Sequence, residues 1–256
     1  MIPINEYLKN LNRIEFVITY DCTGKCKHCS EGEHSCTGIH IDKNAAADAV
    51  YKIFKKYNIT SVMTFGGEPL LYPEAVFAIH SAARDLGILK RQLITNGYFA
   101  NDDKRIKEVV LKLNESGVND TLLSVDAFHQ ETIPIDMVKK FARYAKEAGL
   151  PIKTSPAWLV SREDENPYNI RTRKILSEFS ELGIEEGCGN VVFASGNAIK
   201  YLSDYFDKDK EYNDPYIENP YDVKAVSIEP NGDIFSGNIY SEDVAGILER
   251  YLNEVE

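Results

Sequence analysis

Two rhythms of apolar residues alternate along the chain. The run Ile14-Glu15-Phe16-Val17-Ile18 predicts a buried strand. Asp42 then stands where a helix is capped, ahead of Ala46, Val50, Ile53, Phe54 and Tyr57 at helical spacing. The couplet recurs. Ser61 to Phe65 reads as a strand closing on Gly66-Gly67, and the helix after Pro73 carries Val76, Phe77 and Ile79 before Gly87. Arg91 to Thr95 closes on Asn96-Gly97, and the face Ile106, Val109, Val110 and Leu113 follows, with Gly117 as its stop. Thr121 to Val125 precedes a helix that starts at Pro134, bears Met137, Val138, Phe141 and Ala145, and stops at Gly149. Pro151 to Ser155 is a fifth strand, Ile175, Leu176, Phe179 and Leu182 mark the helix after it, and Val191-Val192-Phe193 is a sixth.

Strand–helix units of about 30 residues imply a parallel sheet with right-handed crossovers. Six units are too few for a closed eight-stranded barrel. The predicted fold is therefore α/β, an open, partial (βα)6 TIM-like barrel over residues 1–200, with residues 201–256 as a C-terminal extension. In that extension Tyr201 to Tyr221 is rich in Asp, Asn, Tyr and Pro and has no period, which predicts a long surface loop placed to act as a lid. Val223 to Glu229 and Asp233 to Phe235 flank Asn231-Gly232, a β-hairpin signal, and Val244 to Leu252 reads as a closing helix.

A hydrophobic content of 43% suits a packed body, and a net charge of −11 leaves no basic excess to neutralise the phosphates of duplex nucleic acid. Lys25, Lys27, Lys52, Lys55 and Lys56 read as solvated helix faces. Met1 to Asn10 has no charged region followed by an apolar run, and no stretch approaches the ~20 apolar residues of a membrane span. A cytoplasmic protein without a membrane partner is expected. The cytosol keeps thiols reduced, so the five cysteines call for a reason other than disulfides. Three of them crowd between Cys22 and Cys29, which points to a metal or cofactor site.

The segment Cys22-Thr-Gly-Lys-Cys26-Lys-His-Cys29 follows the first strand directly. Soft thiolates select zinc, copper(I) or an iron–sulfur cluster. Structural zinc would draw a fourth ligand from His28, His34 or Cys36, whereas a three-cysteine cluster leaves one iron open. Position adds to spacing, because active-site loops of such barrels gather after the strands. Cys-x3-Cys-x2-Cys after strand one, with Gly66-Gly67-Glu68-Pro69 after strand two, resembles the radical S-adenosylmethionine (radical SAM) superfamily, over roughly Phe16 to Ala194.

That resemblance implies an enzyme in which Cys22, Cys26 and Cys29 ligate three irons of one 4Fe-4S cluster. The amino and carboxylate groups of S-adenosylmethionine would chelate the fourth iron. One electron, from a ferredoxin or flavodoxin, would then release a 5′-deoxyadenosyl radical that removes a hydrogen atom from substrate. Within the matching motif, Gly66 and Gly67 would let the backbone approach the methionine ammonium, with Glu68, ahead of Pro69, helping to hold it. Thr95, Asn96, Ser124 and Asp126 at strand ends would meet the ribose and the methionine carboxylate, Ser155 occupies the same place on strand five, and Val192 would flank the adenine. The alternative is a plain strand-to-helix turn for Gly66 to Pro69 and satisfied loop polar groups for Thr95, Asn96, Ser124, Asp126 and Ser155. His28, ahead of the third cysteine, would pack near the adenine.

The substrate is less constrained. Val226 to Gly237 resembles the opening of the SPASM or twitch extension of peptide-modifying relatives, but Ser236-Gly237 stands where a cysteine normally follows, and no later cysteine exists. The extension is read as degenerate, without an auxiliary cluster. Cys188, ahead of strand six, is a candidate hydrogen-atom donor or else a plain packed or surface cysteine. His129 and Glu131 stand past strand four, near substrate or as helix-entry polar residues. The leading expectation is hydrogen abstraction from a peptide or small protein, as in epimerisation or crosslinking during natural-product maturation. A radical enzyme acting on a small molecule, a glycyl-radical activase and a zinc-stabilised binding module are the alternatives. Anaerobic reconstitution followed by metal analysis separates the last of these: a brown, iron-loaded protein is expected, and a colourless one holding zinc restores the binding module.

Overall fold

The computed structural model describes residues 5–34, 37–207 and 219–251. Five strands, β1 (Arg13–Val17), β2 (Ser61–Phe65), β3 (Lys90–Thr95), β4 (Asp120–Leu123) and β5 (Ile152–Thr154), alternate with helices. The helices are α1 (Lys43–Lys56), α2 (Pro73–Asp85), α3 (Asp103–Ser116), α4 (Ile135–Glu147) and α5 (Pro167–Glu181). The remaining elements are short: β6 (Ala157–Trp158), β7 (Glu185–Glu186), β8 (Asn190–Val191), α6 (Gly196–Leu202), β9 (Ala225–Ile228), β10 (Asp233–Ile234), β11 (Gly237–Asn238) and α7 (Val244–Glu249). The main sheet has seven strands in the order β7-β5-β4-β3-β2-β1-β9, and every pair in it is parallel. This is the expected open α/β barrel, widened by a strand from the C-terminal segment.

The helices form where the apolar spacing placed them. Ala46, Val50 and Ile53 of α1, Val109, Val110 and Leu113 of α3, and Phe141 of α4 are buried against the sheet. Asp42 caps α1, its Oδ1 accepting from the Asn44 and Ala45 amides at 2.9 and 2.8 Å. Gly117 ends α3 in the left-handed region at φ 90°. Among the described residues no helix is long and apolar enough to cross a membrane.

Two parts of the expected topology are rearranged. The sixth strand of the sheet is Glu185–Glu186, not Val191 to Phe193. Backbone pairing with β5 makes that polar edge strand, and no apolar run announces it. Gly187 and Gly189 then turn the chain tightly over β5: an added Cβ would lie 2.4 Å from the Thr154 carbonyl oxygen at the first and 2.0 Å from that of Pro156 at the second. Val191 accordingly pairs with Trp158 in a separate two-stranded ladder, β6 with β8. The C-terminal hairpin is present, but its arms are β10 and β11. The stretch expected as its first arm supplies β9, which pairs with the open edge of β1 and buries Val226 and Ile228.

The expected loop from Tyr201 to Tyr221 begins with the end of α6 and a 3-10 turn, Ser203–Tyr205; residues 208–218, and Leu252 of the closing helix, lie outside the described residues. Asp42→Ala removes both capping contacts and is expected to lower stability by about 1 kcal/mol. Urea unfolding checks it, through a lower midpoint at unchanged slope.

Candidate active site

The loop after β1 is stitched to the end of β2. The Gly67 amide donates to the Thr19 carbonyl at 2.7 Å and the Glu68 amide to that of Asp21 at 2.8 Å. The glycines are required by this contact: a Cβ on Gly66 would lie 2.5 Å from the Thr19 oxygen, and one on Gly67 only 2.2 Å from the Asp21 oxygen. Asp21 turns its carboxylate the other way, accepting from the Thr37 and Gly38 amides at 2.7 and 2.9 Å and from the Tyr72 hydroxyl at 2.9 Å. The far side of the loop is clamped by α6. Asn197 donates from Nδ2 to the Cys26 and Gly32 carbonyls, both at 3.1 Å, and from its amide to the Cys29 carbonyl at 2.9 Å.

So held, Cys22, Cys26 and Cys29 open onto one cavity of about 200 Å³ at the C-terminal ends of the strands. Its walls include Gly66 and Gly67 from the end of β2, Thr95 and Asn96 from β3, Ser124 after β4, Ser155 after β5, and Val192. These residues are thus brought together with the three thiols. Cys26 is buried, and Cys22 and Cys29 are half-buried. Burial pushes the Cys22 thiol up to about 12 and raises those of Cys26 and Cys29 as well. A metal ion held there would supply the positive charge that favours their thiolate forms. Three soft donors on one loop, beside a wall of backbone, hydroxyl and amide groups, fit a cluster with one open iron and a polar organic ligand next to it.

Glu68, Pro69 and Asp126 stand behind that wall rather than in it. Pro69 is buried at the start of a 3-10 turn, Pro69–Leu71. The fully buried Glu68 accepts from the Leu70 amide at 2.9 Å, the Thr95 hydroxyl at 2.7 Å and the Asn96 amide at 2.8 Å. Burial nonetheless pushes its carboxyl up to about 7, because every donor facing it is neutral. Asp126, also buried, accepts from the Phe128, His129 and Ala157 amides, each at 2.9 Å. Burial raises its carboxyl too, but the His129 ring, 2.7 Å away through Nδ1, outweighs that and holds it far below the usual carboxylate range.

His28 and His129 line the cavity with ring centroids 4.8 Å apart, and burial pushes His28 down to about 4. One donor atom each from Cys26, His28 and His129 lies within 4.8 Å of the others, a second metal-capable grouping that overlaps the first. His34 lies 3.2 Å from Cys29 Sγ through Nε2, and Cys36 is outside the described residues. Cys188 is exposed and apart from the cavity, its carbonyl accepting from Trp158 Nε1 at 2.9 Å. Asn197, Phe65 and Glu31 went unnoticed in the sequence. Asn197 carries no local signal, since the carbonyls it binds lie 171 and 165 residues earlier.

The comparisons with known proteins agree with this geometry. A model of the radical SAM superfamily matches residues 16–160. A probable GTP 3′,8-cyclase of Saccharolobus islandicus (strain L.S.2.15 / Lassen #1) is 24% identical over 223 residues, covering 80% of this chain and 68% of its own length. The GTP 3′,8-cyclase of Clostridium perfringens (strain SM101 / Type A) is 27% identical over 130 residues, 50% of this chain and 38% of that protein. Among solved structures, Streptococcus suis SuiB bound to S-adenosylmethionine superposes at TM-score 0.59 and 16% identity, over 96% of this chain and 67% of that one. Native anSMEcpe with bound AdoMet does so at TM-score 0.54 and 14% identity, over 91% and 76%. At these identities the structural likeness is one of fold.

Gly67→Ala places a carbon against the Asp21 backbone and is expected to cost about 1–3 kcal/mol and to lower the iron retained after reconstitution. Gly246→Ala, where no atom lies within 4 Å of the added carbon, is the reference and should do neither. Denaturant unfolding and iron analysis of both variants check this.

Proposed function

Because the chain belongs to the radical SAM superfamily, whose enzymes use a 4Fe-4S cluster and S-adenosylmethionine, we propose that Cys22, Cys26 and Cys29 bind the cluster and that the enzyme removes a hydrogen atom from a peptide or small-protein substrate. The observation that carries the reading is the opening of all three thiols onto the cavity that the strand ends of β2 to β5 enclose. When bound, the cluster and S-adenosylmethionine supply reductive cleavage to a 5′-deoxyadenosyl radical. The protein's own part is to hold, orient and shield.

Gly66 and Gly67 present backbone to the cavity, and Thr95 and Asn96 line it in positions that Glu68 sets through its bonds to the Thr95 hydroxyl and the Asn96 amide. Asn96 Nδ2 also lies 3.6 Å from Cys22 Sγ, where an amide donor tunes the potential of a bound cluster. Asp126 fixes His129 at the cavity edge, making that ring a positioning group beside substrate or cofactor. Phe65, Ile94 and Val192 give the cavity apolar wall that keeps water from a reactive radical. A cytosolic ferredoxin or flavodoxin is the proposed reductant. Residues 219–251 are read as the retained frame of a cluster-free extension, since no cysteine follows Cys188.

The GTP 3′,8-cyclase relatives favour a second reading, a small-molecule substrate. Charge argues for the peptide: the carboxylates of Glu31 and Glu229 line the barrel interior, and a nucleoside triphosphate would enter against them. After anaerobic reconstitution, reduction in the presence of S-adenosylmethionine is expected to yield 5′-deoxyadenosine from the wild type and only background from Cys26→Ala. No 5′-deoxyadenosine from an iron-replete wild type sinks the radical reading.

A further inference from the structure

We propose that the substrate presents a protonated amine or guanidinium, as in a lysine or arginine side chain, to a carboxylate-walled chamber inside the barrel, a proposal resting on the radical chemistry above. The chamber, of about 480 Å³, is distinct from the cysteine cavity but meets it at Phe65 and Glu31, which line both. A substrate held there faces the place where a hydrogen atom must be taken. The chamber itself, rather than its acidity, marks the site; the acidity says what enters.

Sheet register builds its walls. Glu15 is opposite Ser227 and Val17 opposite Phe65, so these side chains share the inner face of β1, β2 and β9. Glu229 extends the β9 wall and Glu31 comes from the loop past Cys29, so Glu15, Glu31 and Glu229 all line one space. Among the described residues lining the chamber there is no lysine, arginine or histidine. Glu15 is already paired with Arg13, whose Nε lies 2.6 Å away, so the carboxylates offered to an incoming cation are those of Glu31 and Glu229. Glu229 takes a hydrogen bond from the Tyr20 hydroxyl, a neutral partner. One incoming cation would meet the Glu31 and Glu229 residues that line the chamber and gain charge-assisted hydrogen bonds from their carboxylates. Phe235 and Tyr251, with ring centroids 4.4 Å apart, line the chamber as well and offer aromatic surface to the methylene stem of such a side chain.

The test uses the reconstituted enzyme loaded with S-adenosylmethionine. Calorimetric titration compares acetyl-Phe-Lys-Phe-amide with the same peptide acetylated on its lysine Nζ, and with GTP. The charged peptide is expected to bind at least about tenfold more tightly than its neutral twin. That preference should shrink as salt is raised and fall several-fold in Glu229→Gln. The wild-type comparison stands alone should that variant fail to fold. Equal binding of the two peptides, binding of neither at millimolar concentration, or tighter binding of GTP than of the lysine peptide overturns the proposal. Assay of 5′-deoxyadenosine on the same preparation separates the failures: if it forms while the charge preference is missing, the cation assignment falls and the radical reading survives.

Discussion

The cysteine loop can be where it is only because two residues after β2 lack side chains. Gly67 and Glu68 donate their amides to the carbonyls of Thr19 and Asp21, at 2.7 and 2.8 Å, in the space a Cβ at position 66 or 67 would occupy. With that contact made, Cys22 follows one residue beyond a backbone already fixed, and the rest of the loop is drawn over the strand ends. Its outer turn is then tied down by Asn197, which donates to the Cys26 and Gly32 carbonyls of the loop. A cysteine loop without regular secondary structure is thereby fixed from both sides.

Two buried carboxylates organise the next layer, and they do so under opposite electrostatic conditions. Glu68 faces only neutral donors, so burial dominates and its carboxyl titrates near neutrality, at about 7. Asp126 faces an imidazole as well, and the pairing with His129 overrides burial. Neither lines the cavity. Each fixes the groups that do: Thr95 and Asn96 in one case, His129 in the other. Precise placement of a cofactor depends on such supporting contacts as much as on the groups that touch it.

Membership of the superfamily settles the type of chemistry and sets aside the zinc-stabilised binding module, but it leaves the substrate to the interior of the barrel. There β9 matters. By joining β1 in parallel, it turns a segment from the C-terminal extension into a wall of the chamber and brings Glu229 to face Glu31.

Much of this was legible in the amino-acid order alone. The period of apolar residues marked α1 to α5 and β1 to β5, because helix and strand faces repeat over a few residues. Cys22, Cys26 and Cys29 were found because ligand spacing is local, and Gly66-Gly67 because the motif is contiguous. The failures have one cause. Glu185–Glu186 became a strand through pairing with β5, and β9 left its expected hairpin for the edge of β1. The chain by itself pointed to the chemistry it can carry, since the cysteine spacing and the Gly66-Gly67-Glu68-Pro69 run are each contiguous and need no distant residue to be recognised. Only the tertiary structure decided which charges line the chamber beside the cysteine cavity, since Glu31 and Glu229 come together through the pairing of β9 with β1, a contact between distant segments that no local pattern encodes.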